Sequence, residues 1–279
     1  MTGRSDDRGQ GPHALRSASA LVFVAALDPG DDDLEIDPAD AHHIVDVLRV
    51  GPRESIVAAD GRGGWRPCVL RPRRAAHTLA VAGRRPPRRP RAADRRGDPA
   101  VLLEPTGPVV VEPAPEHPVT VGLALTKGTR TEWAVQKLTE LGVDRIVPLV
   151  TERTVVQVMG RQDALARGER LRRIAREAAA QSRNPRLPVI ADPAMLSAVL
   201  ATVGEAGSRV AIAEPGGAPL EPGTATVLVG PEGGWTDAEL ASAPRMLGLG
   251  PTVLRAETAA VVAGALLTAV RAGTVHASS

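Results

Sequence analysis

Tyrosine is missing from these 279 residues, phenylalanine occurs once and tryptophan three times. A core must therefore be built from Val, Leu and Ala, and stacking of bases on aromatic platforms, as in RRM-like readers, cannot be the main binding device. Cysteine occurs once, as Cys68, which excludes a disulfide framework and any multi-cysteine zinc or iron–sulfur site and fits the reducing cytoplasm. Lysine is nearly absent too, with only Lys127 and Lys137 among 34 basic residues. So strong an arginine bias suits bidentate phosphate contacts and follows equally from a genome rich in G and C. No uncharged run reaches the roughly 18 residues of a membrane span, and the longest late one is Thr258 to Val270. Ala18 to Leu27 follows three arginines, but Asp6 and Asp7 spoil a basic leader and no small-x-small cleavage site precedes the acidic stretch, so a first β-strand is the better reading than a secretory signal.

What is present, 43% apolar and 24% charged residues, is the composition of an ordinary soluble globular chain. The net charge of +2 hides a segregation: residues 1–50 carry four arginines against ten acids, 51–98 thirteen against four, and the remainder is close to neutral. Arg84 to Arg96 mixes arginine with prolines that remove donors and fix extended dihedrals, so it reads as a connector or as an arm that neutralises nucleic-acid phosphates, with Arg88 and Arg89 as contacts. It divides the chain into a front part, 1–83, with its first 17 or so residues expected to be disordered, a linker over 84–118, and a second part, 119–279.

The front part predicts a small β-barrel from the short runs Leu21 to Ala25, Ser55 to Ala58, Cys68 to Leu70 and Thr78 to Ala82, with turns at Asp60-Gly61 and Gly63-Gly64 and one helix opened by Asp37-Pro38. From Val119 on, strands and helices alternate as in an α/β domain with a largely parallel sheet. Helices are predicted over Arg130 to Leu141, Glu169 to Gln181, Asp192 to Val203 and Glu257 to Ala272, with a short capped one at Thr236 and Glu239, and strands at Val119 to Leu125, Arg145 to Val150, Val210 to Ala213, Thr226 to Val229 and Thr252 to Leu254. Arg170, Arg172, Arg173 and Arg176 should form an outward ridge.

Two loops could carry chemistry. Gly230-Pro-Glu-Gly-Gly234 follows a buried strand and lets backbone amides approach a ligand without side chains intervening, although a tight strand-to-helix turn would read the same. Neither a Walker pattern nor G-x-G-x-x-G nor a G-x-S-x-G elbow occurs, so ATP hydrolysis, a standard dinucleotide fold and serine hydrolysis lose their fingerprints. Leu249 to Ala259 is the second loop, where Arg255 and Glu257 stand in apolar surroundings as either a structural pair or a site. His42 and His43 lack the spacing of metal ligands, no metal site is expected, and Cys68 reads as a small buried hydrophobe.

These loops, with Leu125-Thr-Lys-Gly-Thr-Arg-Thr-Glu-Trp133, Lys137 to Val143, Pro148 to Arg153 and Glu177 to Ser182, resemble the RsmE-type 16S ribosomal RNA uridine N3-methyltransferases of the SPOUT class. At the front, Ala41-His-His-Ile-Val-Asp-Val-Leu-Arg49 is similar to that family's histidine-bearing helix. The resemblance implies a SPOUT-type, trefoil-knotted α/β methyltransferase domain preceded by a small PUA-like β-barrel domain. It also implies S-adenosylmethionine as cofactor, 16S rRNA of the small ribosomal subunit as substrate, and a homodimer. The cofactor-binding positions would be Val229, Gly230, Pro231, Glu232, Gly233, Gly234, Leu249, Gly250, Leu254, Arg255 and Thr258. Arg153 and Arg255 are candidates to stabilise a developing uridine anion, and Glu232 or Glu257 to take its N3 proton, which solvent could also accept. Lys127 and Arg130 stand where RNA phosphate could bind a helix start. Two departures stand out: Thr252 replaces a usual arginine or lysine, and Leu21-Val22 precede Phe23 where the family has arginine. Competing readings are an RNA-binding protein with a relic, non-catalytic SPOUT domain, or methylation at another RNA position.

Overall fold

The computed structural model describes residues 11–27, 30, 32–72, 101–126, 128–154, 161–205 and 209–276, and the chain divides into two units after Pro113. In the first unit, strands β1 (Ala20–Phe23), β2 (Ser55–Ala59), β3 (Gly64–Pro72), β4 (Val101–Pro105) and β5 (Val110–Val111) form one sheet in the order β1-β2-β3-β4, with β5 also on β3. The hairpin joining β2 and β3 follows from Asp60, whose Oδ1 accepts from Arg62 N at 2.6 Å and Gly64 N at 2.9 Å while Gly61 and Gly63 take positive φ. A first helix, α1 (Gly11–Ser17), precedes the sheet. Helix α2 (Pro38–His42) starts where expected, Asp37 accepting from Ala39 N with Pro38 in the first turn, and runs on into a π-helical turn, His43–Val47. Ile44, Ile56, Cys68, Leu70 and Leu103 meet in the core. Arg66 is buried at 2% exposure because its guanidinium donates to the carbonyls of Gly30 and Gly107.

Two expectations need revision in this unit, and others fall outside the described residues. The stretch that forms α1, expected to be disordered, is helical and anchored by buried Leu15. Val101–Pro105 and Val110–Val111, expected in the linker, are strands that pair with β3, and Leu103 of the first is fully buried in the same core. The strand expected at Thr78 to Ala82, the Arg84–Arg96 segment and Arg88 and Arg89 lie outside the described residues.

The second unit is a parallel seven-stranded sheet. In chain order it comprises β6 (Thr120–Ala124), α3 (Arg130–Glu140), β7 (Arg145–Val150), α4 (Arg161–Gln181), β8 (Val189–Ile190), β9 (Ala194–Met195), α5 (Leu196–Glu205), β10 (Arg209–Ala218), β11 (Thr224–Val229), α6 (Asp237–Ser242), β12 (Met246–Leu247) and α7 (Ala256–Arg271). Its strand order is β12-β10-β11-β6-β7-β8, with β9 also on β7. Strand side chains alternate between two covers: Val227 and Val229 pack with α3, α4 and α7, whereas Leu228, Val210 and Ile212 pack with α5 and Trp235. Helix α7 lies close against α3, because a Cβ on Gly264 would come within 2.5 Å of Leu138 Cδ2.

Here too the boundaries shift. Thr252 to Leu254, expected as the last strand, is loop; the strand is Met246–Leu247 instead, because Gly250 and Pro251 break the run that Thr252 would have continued. A two-residue strand, β9, precedes the helix expected from Asp192, which begins at Leu196. Arg170, Arg172 and Arg173 face solvent on α4 as expected, but each is ion-paired, to Glu132, Asp192 and Glu177 respectively, and Arg176 is half-buried.

Candidate active site

Strands β11 and β12 deliver their carboxyl ends to one crevice where β10, lying between them, leaves its pairing with β11, the place where open α/β sheets bind ligands. From β10 come Ala213, Glu214 and Pro215; from β11 and the loop after it come Val229, Gly230, Pro231, Glu232 and Gly234; from the loop after β12 come Leu249, Gly250, Thr252, Val253 and Leu254, with Ala256 and Ala259 of α7 closing it. With its open mouth included, the crevice spans about 650 Å³.

Trp235 forms its base. The indole is 5% exposed and its Nε1 donates to Ala213 O at 3.0 Å, so the loop after β11 is tied to the middle of β10. Gly230 stands over it: a Cβ there would lie 2.8 Å from Trp235 Cε2. The glycine is required by the close approach of the indole, and the backbone of the loop is left bare toward the crevice. Behind the loop, Arg153 Nη1 donates to the carbonyls of Gly233 at 2.9 Å and Trp235 at 3.0 Å. Thr236 then starts α6 with a reciprocal cap to Glu239, and the other Glu239 oxygen accepts from Glu152 N at 3.1 Å, which joins the same loop to the end of β7.

A second brace crosses from α3. Arg130 Nη1 donates to Glu232, and its Nε lies 3.9 Å from Glu257 Oε1 on the first turn of α7. Glu257 is 13% exposed in its side chain, and its Oε2 is buried without a hydrogen-bond partner among the described residues. One arginine thus holds a carboxylate from each of the two loops predicted to form the site. Burial lowers the Arg167 pKa, partly offset by Glu132; its guanidinium donates to Thr126 O and Thr131 Oγ1 and fixes the turn that leads into Arg130.

Of the positions expected to hold cofactor, Val229, Gly230, Pro231, Glu232, Gly234, Leu249, Gly250 and Leu254 line the crevice; Gly233, Arg255 and Thr258 do not. Gly233 is spent on Arg153, and Arg255 caps α7 as an exposed side chain that no hydrogen bond or ion pair engages among the described residues. Arg153 faces the loop's own carbonyls, and Arg130, expected on phosphate, is occupied by Glu232 and Glu257. Lys127 lies outside the described residues. Sequence reasoning missed Trp235, Glu214 and Pro215. The signal for Glu214 was its place just past an apolar run, at the end of a strand neighbouring the glycine loop's own.

Residues 112–268 match the family model described as an RNA methyltransferase domain, and residues 36–74 the one described as an RNA methyltransferase PUA domain. The ribosomal RNA small subunit methyltransferase E of Mycobacterium tuberculosis is 31% identical over 87% of this chain and 88% of its own, and that of Bacillus subtilis 28% identical over 80% and 85%. Among solved structures, a Legionella pneumophila protein assigned as a methyltransferase, determined with S-adenosylmethionine, superposes with a TM-score of 0.69 at 25% identity, covering 89% of this chain and 96% of that one. The Neisseria gonorrhoeae ribosomal RNA small subunit methyltransferase E shares the fold with a TM-score of 0.70 at 23% identity over 90% and 97%. A PUA domain followed by an α/β domain of the SPOUT class, matched along nearly its whole length, places the molecule: the chain belongs to the ribosomal RNA small subunit methyltransferase E family of RNA methyltransferases.

Proposed function

We propose that this protein transfers a methyl group from S-adenosylmethionine to N3 of a uridine in the 16S rRNA of the small ribosomal subunit. The observation that carries the reading is the crevice where β11 and β12 end beside Ala213–Pro215 of β10, in which bare glycine backbone faces apolar side chains. Gly234 and Gly250 would leave room for the cofactor against the main chain, Gly230 lets the indole approach the loop, and Leu249, Leu254 and Trp235 would pack on the cofactor's base. The cofactor supplies a methyl already activated by a sulfonium, which leaves the protein to align the acceptor nitrogen, exclude water and stabilise charge.

The chain's own residues divide those tasks. Arg153 and Arg130 keep the Gly230–Gly234 loop in place, one by its carbonyls and one by Glu232. Arg255, exposed at the head of α7 and unengaged among the described residues, is the cation available to a uridine O2 or O4 as negative charge develops there. Glu232 and Glu257 are engaged by Arg130 in bracing the two loops, which leaves the N3 proton to solvent. A cytoplasmic homodimer that acts on rRNA goes with this reading. So does a trefoil knot, which the order β12-β10-β11-β6 supports, because the chain passes from β11 to the far side of β10 before α7 returns to β6 and β11.

Mass spectrometry of 16S rRNA from cells with and without the protein tests the proposal. The expected result is one 3-methyluridine that disappears with the gene and returns on complementation. An unchanged 16S rRNA with S-adenosylmethionine affinity intact points to another RNA position, and no cofactor affinity at all points to a relic domain.

A further inference from the structure

Two carboxylates line the crevice, and among the described residues only one of them has a partner. Glu232 and Glu257 share Arg130, Glu239 caps α6, and Glu221 pairs with Arg245. Glu214 lines the crevice half-buried, with no hydrogen bond and no ion pair to any described residue. Its backbone is fixed from three sides. Strand β10 loses register with β12 between Ala213 and Ala218, so Glu214 to Gly217 bulge out of the ladder. Gly216 takes a φ of +80°, and Gly217 lies so close to β12 that a Cβ would come within 2.6 Å of the Leu247 and Gly248 backbone. Trp235 holds Ala213 from the other side. A carboxylate held in the crevice wall by a constrained bulge, with no protein partner, keeps both oxygens for a ligand's donors.

On the reading of this crevice as an S-adenosylmethionine site, we propose that Glu214 recognises the ribose of the bound cofactor, its carboxylate accepting hydrogen bonds from the 2′- and 3′-hydroxyls. Glu214 follows Ala213, the last residue of β10 that pairs with its parallel neighbour β11, and β11 runs into the glycine loop. In dinucleotide-binding sheets an acidic side chain serves the ribose hydroxyl in the same crevice as a glycine turn, because a neighbouring strand end lies about one ribose away from the main-chain cradle. Two carboxylate oxygens in one plane match two vicinal hydroxyl donors, and the bonds are strengthened by the charge.

Calorimetric titration of the full-length protein with S-adenosylhomocysteine, with methylthioadenosine, which keeps the ribose but lacks the amino acid, and with the 2′-deoxy form of each provides the test. Glu214→Ala should weaken both ribose ligands by about tenfold or more, and the penalty for the 2′-deoxy forms seen in the parent should vanish in the variant. Glu214→Gln, which keeps one acceptor, should fall between. Thermal unfolding without ligand should not fall in either variant, since no protein partner is lost. The proposal is overturned if Glu214→Ala binds both ligands as the parent does, if it weakens S-adenosylhomocysteine but not methylthioadenosine, which would assign the carboxylate to the amino-acid end, or if the 2′-deoxy penalty persists. A parent that binds none of the four ligands overturns the cofactor reading itself.

Discussion

Single atoms decide much at Gly230. A side chain there would point at the indole and not into the crevice, so even alanine forces Trp235 to move and strains its bond to Ala213. Gly230→Ala should cost about 1–3 kcal/mol of stability and weaken S-adenosylhomocysteine severalfold, with calorimetry and thermal unfolding as the paired measurements; unchanged affinity would show that the indole does not shape the site. Cys68 makes the opposite kind of case, a reactive group silenced by its surroundings. It is fully buried, and burial pushes its thiol from 9.0 up to about 11, against smaller lowering effects of an Ala58 backbone contact and of Arg66. The native thiol should therefore resist iodoacetamide at pH 8 and react only on unfolding. Because the raised value belongs to the folded state, its contribution to stability is complete below about pH 9 and fades as pH climbs toward 11, where only the unfolded chain ionises.

At the scale of elements, the alternation of apolar strands with periodic helices was enough to find the parallel sheet, since consecutive apolar residues such as Val227, Leu228 and Val229 fill both of its faces in turn. Caps at Asp37 and Thr236 were legible because a cap is local chemistry. What escaped was set by distant partners: β4 exists because β3 offers it an edge, and the bulge at Glu214 exists because Gly217 and Gly248 allow two strands to touch. The same holds for Arg130 and Arg153, whose carboxylate and carbonyl partners lie about 80 to 130 residues away in sequence. Contact between α3 and α7 obeys this rule and can be tested. Gly264→Val should cost about 1–3 kcal/mol through overlap with fully buried Leu138, net of the helix propensity gained in removing a glycine. Adding Leu138→Ala should recover part of that loss, giving a favourable coupling in a double-mutant cycle by chemical denaturation.

For the whole molecule, the two units have separate hydrophobic cores: Ile44, Ile56, Cys68 and Leu103 close the first, and the sheet between α3, α4 and α7 on one face and α5 on the other closes the second. Each side chain of the crevice, and each brace behind it, comes from the second unit alone. Cofactor binding and RNA recognition should therefore be separable. Residues 114–279 expressed alone should unfold cooperatively and bind S-adenosylhomocysteine within about threefold of the full chain, as expected when no binding contact is removed. Methylation of ribosomal RNA by the same fragment should fall by far more, because the residues matched as an RNA methyltransferase PUA domain are gone. Should the fragment fold but lose cofactor affinity, the crevice would depend on residues outside the second unit; should it methylate RNA as the full chain does, the front unit would have no part in binding the substrate.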